Sequence, residues 1–348
     1  MSWFAGAVSL LCVCACSRPA ADERPPAHRA FYYWRTTFAL SQAERAALAE
    51  LRVERLYVRM FDVVWDDAAR GTAEAGPLVA SDHVPAGIEV VPVVFVRQGI
   101  FTREHLGEAG AAAAARTTWE GIARRTAALG VTPHEVQLDC DWTEQTRAGY
   151  FAFVAGLRAA APPGTVLTAT IRLHQVKYRE RTGVPPVDRG TLMFYNMGNF
   201  SADPDARAIF DAASAARYLA RISTYPLPLD VALPIWSWTV QLRDGIVVGL
   251  LQSTDPDELP ALPFLERAGP DRFVATETTF LHGTLLRAGD ALKIEVTGEA
   301  EAQAAAELVA PTLPAATSAR TVTLFDLSER NLAHHGLASL ARLYDTVR

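Results

Sequence analysis

Two aspartates close a short apolar run, EVQLDCDW at residues 135–142, and their spacing suggests chemistry. Alternate side chains of a β-strand point to the same face, so Asp139 and Asp141 share a face with Gln137 and have Cα atoms about 6.5–7 Å apart. The apolar residues between them face the other way. Such a pair can carry charge beside a reacting bond, contact a ligand, or accept hydrogen bonds from arginine.

Polar and aromatic side chains end most of the other strand-like runs as well. Groups that converge at one mouth are typical of a binding site, and tryptophans at the rim of a cleft stack against sugar rings. We therefore predict a carbohydrate site that joins the two aspartates to a set of arginines, aromatic rings and polar groups. These are Trp34, Arg59, Arg97, Arg172, His174, Tyr195, Asn196, Trp236 and Trp238.

Purely structural roles remain open for the same residues. An interior ion-pair network between the aspartates and Arg59, Arg97 and Arg172 would fix strand register without catalysis. An arginine partner would also keep an aspartate ionised, which suits a nucleophile, a stabilising anion or a ligand contact but not a general acid. His174 alone fits a hydrogen-bonded core histidine, and the tryptophans can fill the top of a core.

The hydrophobic pattern predicts eight strands, with alanine-rich segments of helical period between most of them. The predicted strands are residues 31–38, 55–61, 89–96, 135–141, 166–173, 191–197, 229–236 and 321–327. The predicted helices are residues 41–51, 111–129, 146–161, 205–222, 299–309 and 337–347. Helices before the third and sixth strands are weak or missing in this pattern.

Eight strands that alternate with helices predict an α/β fold, a (β/α)8 barrel of the TIM type over residues 30–348. Active sites of such barrels lie at the carboxyl ends of the strands, where Asp139 and Asp141 fall. Extra strand-like runs after the seventh strand predict a small β-rich insertion at about residues 245–298. A doubly wound sheet is the alternative, but the segment after the first strand lacks the glycine-rich turn that this fold favours.

The amino terminus carries an apolar run, AGAVSLLCVCA, that is too short to span a bilayer and precedes a proline-rich polar segment. The run ends in VCAC at residues 13–16, which resembles the bacterial lipobox, although Cys14 replaces a small non-sulfur residue and no Lys or Arg precedes it. This pattern predicts a lipoprotein signal peptide at residues 1–16, lipidation of Cys16 and a flexible tether at residues 17–29. The protein would then be exported and lipid-anchored to the cell envelope, facing the periplasm; an uncleaved apolar anchor is the alternative.

Composition excludes several classes of protein. The chain has 348 residues, of which 50% are apolar and 21% charged, so it can bury a large core. A net charge of -6 without a long basic block gives no indication of a basic surface that would bind nucleic acid. Cys140 is the only cysteine beyond the leader, so no disulfide framework or cysteine-based zinc site is expected. The scattered histidines make a poor ligand set, and we predict neither a metal nor a cofactor.

Three patches of the sequence resemble the family-18 chitinases and their relatives. Those enzymes carry Asp-x-x-Asp-x-Asp-x-Glu on the fourth barrel strand, Met-x-Tyr-Asp on the sixth, and a Pro-aromatic-Tyr-Gly stretch on the seventh, followed by an inserted domain. Here LDCDWTE, LMFYNMG and VALPIWSW lie in the same order. The resemblance implies a barrel that acts on a polysaccharide. The whole chain is also similar to an uncharacterised bacterial family, domain of unknown function 3142, which implies no reaction.

The chain departs from the chitinase pattern at its most important position. Thr143 stands where that family has its acidic glutamate, and Glu144 follows one residue later. Asn196 likewise replaces the aspartate of the sixth-strand motif. Hydrolysis by the route of that family therefore requires Glu144, or Glu277 in the predicted insertion, to reach the leaving oxygen.

Two functional hypotheses follow from these residues. The first is a glycoside hydrolase-like protein of the cell envelope with Asp139, Asp141 and Glu144 as its catalytic residues. The second is a catalytically inactive glycan-binding or envelope-assembly lipoprotein on the same barrel. The fold alone does not separate them, because one fold hosts many functions.

Overall fold

The computed structural model describes residues 27–197, 207–251, 254–314 and 318–347. The predicted signal peptide at residues 1–16, the lipidation site Cys16 and most of the predicted tether lie outside the described residues. The first strand begins at His28.

Eight parallel strands form a closed barrel, because each strand pairs with the next and the eighth pairs with the first. The strands are β1 His28–Tyr33, β2 Arg55–Asp66, β3 Glu89–Val96, β4 Glu135–Asp139, β5 Val166–Arg172, β6 Arg189–Met193, β7 Leu229–Pro234 and β8 Thr321–Phe325. The predicted (β/α)8 barrel is confirmed, and closure rules out the doubly wound sheet, which is open.

Nine helices are present among the described residues. They are α1 Gln42–Glu50, α2 Gly107–Ala128, α3 Arg147–Ala160, α4 Leu173–Lys177, α5 Arg179–Thr182, α6 Ala212–Ile222, α7 Glu299–Val309, α8 Glu329–His335 and α9 Leu337–Thr346. As the sequence predicts, no helix separates β2 from β3, and only α4 and α5 separate β5 from β6. Among the described residues, none of these helices combines the length and apolar content that crossing a membrane requires.

Three short strands and a bulge complete the barrel wall. Gly71–Ala75 pairs antiparallel with β2, and Thr37–Phe38 pairs with Val79–Ala80. In β2 the register shifts between Arg59 and Phe61, so one extra residue bends this strand near its middle.

Strand alternation sorts the core into two layers. The apolar residues Val136 and Leu138 of β4 face the helices and are fully buried. Inside the barrel, Gln137 accepts a 2.6 Å hydrogen bond from the Tyr32 hydroxyl and donates a 2.9 Å bond to Thr191 Oγ1. The interior is therefore polar, and Gln137 is satisfied by partners within it, as a buried polar group requires.

A five-stranded antiparallel sheet lies between β7 and β8. Its strands are Ser237–Arg243, Ile246–Leu251, Leu265–Gly269, Arg272–Ala275 and Ala291–Val296, and the hairpin Thr279–Leu281 with Thr284–Leu286 follows the fourth. The predicted insertion at about residues 245–298 misses the first of these strands. That strand follows β7 after two residues without a polar break, so no change in composition marks the boundary.

Close packing of α2 on α3 gives the first prediction. A Cβ atom built at Gly156 of α3 would lie 2.8 Å from the Cα of Ala112 in α2, a backbone atom that cannot move aside cheaply. Gly156→Ala should therefore destabilise the barrel by about 1–3 kcal/mol through overpacking, although alanine is the better helix former. Urea unfolding of the full chain measures this change.

The control substitution is Ala155→Gly at an exposed position of the same helix. It should cost about 1 kcal/mol through helix propensity alone. A Gly156→Ala variant that is more stable than the parent would contradict the packing argument.

Candidate functional site

A cavity of about 670 Å³ opens at the carboxyl ends of the barrel strands. All but two of the predicted site residues line it, and the two exceptions are Glu144 and His174. The predicted residues that it brings together are Trp34, Arg59, Arg97, Asp139, Asp141, Arg172, Tyr195, Asn196, Trp236 and Trp238.

Arg172 lies at the centre of the cavity between the two aspartates. Its Nη2 lies 3.2 Å from Asp139 Oδ1, and its Nε donates a 2.5 Å hydrogen bond to Asp141 Oδ1. Asp139 Oδ1 also accepts a 2.6 Å bond from Thr170. One guanidinium thus bridges both carboxylates and holds them to the end of β5.

The two aspartates differ in their environment. Burial raises the pKa of Asp139, which is 4% exposed, and the charge of Arg172 opposes this rise. The side chain of Asp141 is 49% exposed and faces the cavity. Asp139 is therefore a structural carboxylate held by an arginine, whereas Asp141 has surface left with which to contact a ligand.

Arg59 and Arg97 do not join this ion-pair network. The bulge in β2 brings Arg59 and Asp62 together, and Arg59 Nε donates a 2.9 Å hydrogen bond to Asp62 Oδ1. Arg59 Nη1 also donates to the carbonyl of Gly76 at 2.8 Å. Within the described ranges, Arg97 has no carboxylate at salt-bridge distance.

Glu144 lies outside the cavity. Its Oε2 accepts a 2.7 Å hydrogen bond from Arg181 Nε, and both side chains are more than half exposed. Strand β4 ends at Asp139, and the turn of residues 143–146 that leads into α3 carries Glu144 into a separate surface depression. The backbone N–H of Thr143 donates to Thr146 Oγ1 at 3.0 Å, so Thr143 stabilises this turn.

Two other candidates, His174 and Glu277, also lie outside the cavity. His174 is the second residue of α4 and lines two side depressions, and burial lowers its pKa, which favours the neutral imidazole. Glu277 is exposed in the insertion and does not line the cavity. Neither glutamate proposed as the proton donor reaches the site of Asp141.

Sequence reasoning missed a charged group that follows β8. Asp326 and Arg330 both line the cavity, together with Arg35 after β1. Burial raises the pKa of Asp326, the charge of Arg330 opposes the rise, and the side-chain amide of Asn331 donates to Asp326 Oδ1 at 2.7 Å. The signal was present, because Asp326 directly follows a strand in LFDLSERNL just as the other site residues follow theirs.

Aromatic rings form the wall on the side of β6 and β7. Trp236 packs edge-on against Tyr195 and Phe325, with centroids 4.7 and 5.1 Å away. Trp236 and Trp238 are only 8% and 7% exposed, so they give the wall its shape but present little ring face. Trp34 is more exposed, which makes it the tryptophan best placed to stack on a ligand.

The insertion sheet positions one of these rings. Trp238 Nε1 donates a 3.1 Å hydrogen bond to Glu295 Oε2, and Glu295 Oε1 lies 3.1 Å from Lys293 Nζ. Both charged side chains are buried. Such a buried pair fixes geometry more than it adds stability, so the insertion acts as a support for the cavity wall.

Asn196 contributes an exposed amide to the cavity. Its backbone has φ 53°, a left-handed conformation that asparagine tolerates better than most residues. Its N–H donates to the carbonyl of Ile209 at 2.8 Å, which fixes the turn after β6.

No group of three His, Cys, Asp or Glu side chains that could hold a metal ion occurs in the part of the chain that the structure describes.

The bridge made by Arg172 gives the second prediction. Arg172→Gln should lower the free energy of unfolding by about 3 kcal/mol at pH 7.5, because it leaves the Asp139 carboxylate buried without its cation. Burial then raises the pKa of Asp139 further, so the folded state binds a proton more tightly than the unfolded chain. The loss of stability should be complete above that raised pKa and shrink as the pH falls toward 4.

The matched control is Arg181→Gln, which breaks the exposed pair with Glu144. This change should cost about 0.5 kcal/mol or less at either pH. Urea unfolding of both variants at pH 7.5 and pH 5 makes the comparison. Equal losses in the two variants would show that Arg172 is not a buried partner of Asp139.

No family model matches the chain and no curated protein does either, so the resemblance to domain of unknown function 3142 stays a prediction. Solved structures do match. A chitinase from Chromobacterium violaceum is 13% identical, with a TM-score of 0.52 and coverage of 92% of this chain and 98% of that one. The spore cortex-lytic enzyme SleL from Bacillus cereus is 11% identical, with a TM-score of 0.51 and coverage of 92% and 74%.

A chitinase-like agglutinin from Robinia pseudoacacia is also similar, at 12% identity, a TM-score of 0.50 and coverage of 90% of this chain and 99% of that one. At these identities the likeness concerns the fold. The described chain therefore has the (β/α)8 barrel of chitinase-like proteins, in agreement with the resemblance seen in its sequence.

Proposed function

We propose that this protein binds a glycan in the cavity at the barrel mouth and does not cleave it by the route of the family-18 chitinases. The observation that carries the proposal is the bridge of Arg172 across Asp139 and Asp141. One guanidinium binds both carboxylates, which commits the pair to an ion-pair network rather than to a reacting bond. The place of the proton donor is held by Thr143, whose backbone and hydroxyl serve a turn.

The cavity suits a sugar ligand in size and lining. Its volume of about 670 Å³ falls within the range of small-molecule sites, and the wall combines aromatic rings with hydrogen-bonding groups. Trp34 offers an apolar face, while Asn196 and Asp141 offer an amide and a carboxylate to hydroxyl groups. The structural neighbours include both a chitinase and a chitinase-like agglutinin, so the fold is compatible with binding alone and with hydrolysis.

A glycoside hydrolase is the second candidate, and the position of Asp326 favours it. A general acid must keep its proton near the working pH. Burial raises the pKa of Asp326, and its side chain faces the cavity across from Asp141 on the mouth of the barrel. In this case Asp326 replaces the missing glutamate as the acid.

Binding and catalysis can be separated with oligosaccharides from chitin, peptidoglycan and acidic exopolysaccharide. The full chain purified in detergent should bind at least one of them in a calorimetric titration. Trp34→Ala should weaken that binding about tenfold, equivalent to about 1.4 kcal/mol, because it removes the exposed ring face. Phe280→Ala is the control, since Phe280 is 67% exposed on the insertion and does not line the cavity.

The same mixtures analysed by chromatography should contain no shortened products. Product release that is lost in Asp326→Asn but kept in Glu144→Gln would replace the binding proposal with the hydrolase. Absence of binding to every oligosaccharide would contradict both candidates.

We also propose that the protein is exported and anchored to the cell envelope by a lipid on Cys16, as its leader predicts. Expression in a bacterium fed an alkyne-tagged fatty acid tests this. Cys16→Ala should abolish labelling, because the acylated thiol is gone, whereas Cys14→Ala should leave it intact. Labelling that survives in Cys16→Ala would favour the uncleaved apolar anchor.

A further inference from the structure

We propose that the glycan bound in this cavity is acidic and that Arg97 holds its anionic group. This inference rests on the proposed glycan-binding function and names the class of its ligand. The sign of the charge in the cavity lining differs from that of the whole chain. The whole chain carries a net charge of -6, whereas the lining contains five arginines and four aspartates.

Three of these arginines are already committed to carboxylates. Arg172 bridges Asp139 and Asp141, and Arg59 binds Asp62. Arg35 uses one nitrogen, Nη2, for both oxygens of a buried glutamate, Glu44, at 2.9 and 3.0 Å. Their charge is offset inside the protein, so none of them needs a ligand for neutralisation. The aspartates that would repel an anion are, for the most part, shielded by the same contacts.

The two remaining arginines are Arg330 and Arg97. Arg330 donates to the carbonyl of Thr254 at 3.1 Å and lies close enough to Asp326 to lower the pKa of that carboxyl. Arg97 is exposed, and among the described residues no carboxylate lies within salt-bridge distance of it. As far as the described residues go, Arg97 is therefore the cation of the lining whose charge is left for a ligand.

The backbone around Arg97 is well held. Its N–H donates to the carbonyl of Val63 at 3.0 Å, and its own carbonyl accepts from Ile100 at 3.1 Å in the turn that follows β3. A guanidinium on a fixed backbone binds a carboxylate, sulfate or phosphate ester through two parallel hydrogen bonds, a geometry that a neutral sugar does not require.

The position of Arg97 also suits a ligand longer than one sugar. The residue lines both the main cavity and a neighbouring depression of about 350 Å³ that contains Trp65 and His105. These two rings stack with centroids 4.4 Å apart. An oligosaccharide that extends from the cavity toward Trp65 would pass directly over Arg97, so an acidic substituent at that point meets the guanidinium.

The test compares acidic and neutral tetrasaccharides of equal length on the full chain by calorimetry at low ionic strength. Tetragalacturonate supplies carboxylates, κ-carrageenan tetrasaccharide supplies sulfate esters, and chitotetraose is neutral. At least one acidic probe should bind tenfold or more tightly than chitotetraose, and salt should weaken it. The acidic probe that binds identifies whether the anion is a carboxylate or an ester.

Arg97→Gln should lower the affinity for that acidic probe about tenfold and lower the affinity for chitotetraose much less, because a neutral sugar has no anionic group for the guanidinium. Arg116→Gln, an exposed arginine on α2 away from the cavity, is the matched control and should change neither affinity. Preferred binding of chitotetraose, or acidic binding that is insensitive to Arg97→Gln, would overturn this inference and leave the proposed function intact. Failure of all three probes to bind would overturn this inference, and the proposed function would fall with it only if the peptidoglycan fragments also fail to bind.

Discussion

The cost of burying charge inside a barrel is the constraint on which this site depends. A carboxylate removed from water without a partner is strongly destabilising, so Asp139 at 4% exposure requires a cation. Arg172 supplies it from the adjacent strand and reaches Asp141 with the same guanidinium. The contact that makes the aspartate pair tolerable in the fold also occupies both carboxylates, so stability and the chemistry open to the site depend on one side chain.

The same rule operates at the opposite end of the barrel. Near the amino ends of the strands, burial raises the pKa of Glu135, whose carboxylate accepts from Tyr57 and Thr168, while Arg189 pairs with Asp230 at 2.5 Å. That network lies far from the cavity and has a purely structural explanation. Paired charges are thus a general feature of this polar interior. The mouth differs in that two of its charged side chains, Asp141 and Arg97, are exposed.

Much of the architecture follows from residue pattern, because strands and helices have different periods and alternation decides which face of β4 is polar. The convergence of Trp34, Asn196 and Trp236 at one mouth follows from the barrel alone. Two features of the site cannot be predicted from the residue pattern. The direction of Glu144 depends on a turn whose geometry is set by contacts of Thr146, and the partner of each arginine depends on distances that side-chain type does not reveal. Asp326, by contrast, is predictable from the pattern, because it directly follows the eighth strand.

The distribution of partners, more than the number of charges, indicates what the cavity can hold. The lining has five arginines and, with Glu44, five nearby carboxylates, but Arg172 binds two aspartates and, among the described residues, Arg97 has no carboxylate at salt-bridge distance. In the described part of the chain, this distribution places an excess of negative charge at the centre of the barrel and a cation without a carboxylate partner at its rim. A chitin-like neutral chain gains nothing from that separation, whereas an acidic chain is attracted at the rim and held away from the central carboxylates. On our proposal, Thr143 in place of an acidic residue and Arg97 without a carboxylate partner among the described residues both suit a site that retains a charged chain rather than cleaving a neutral one.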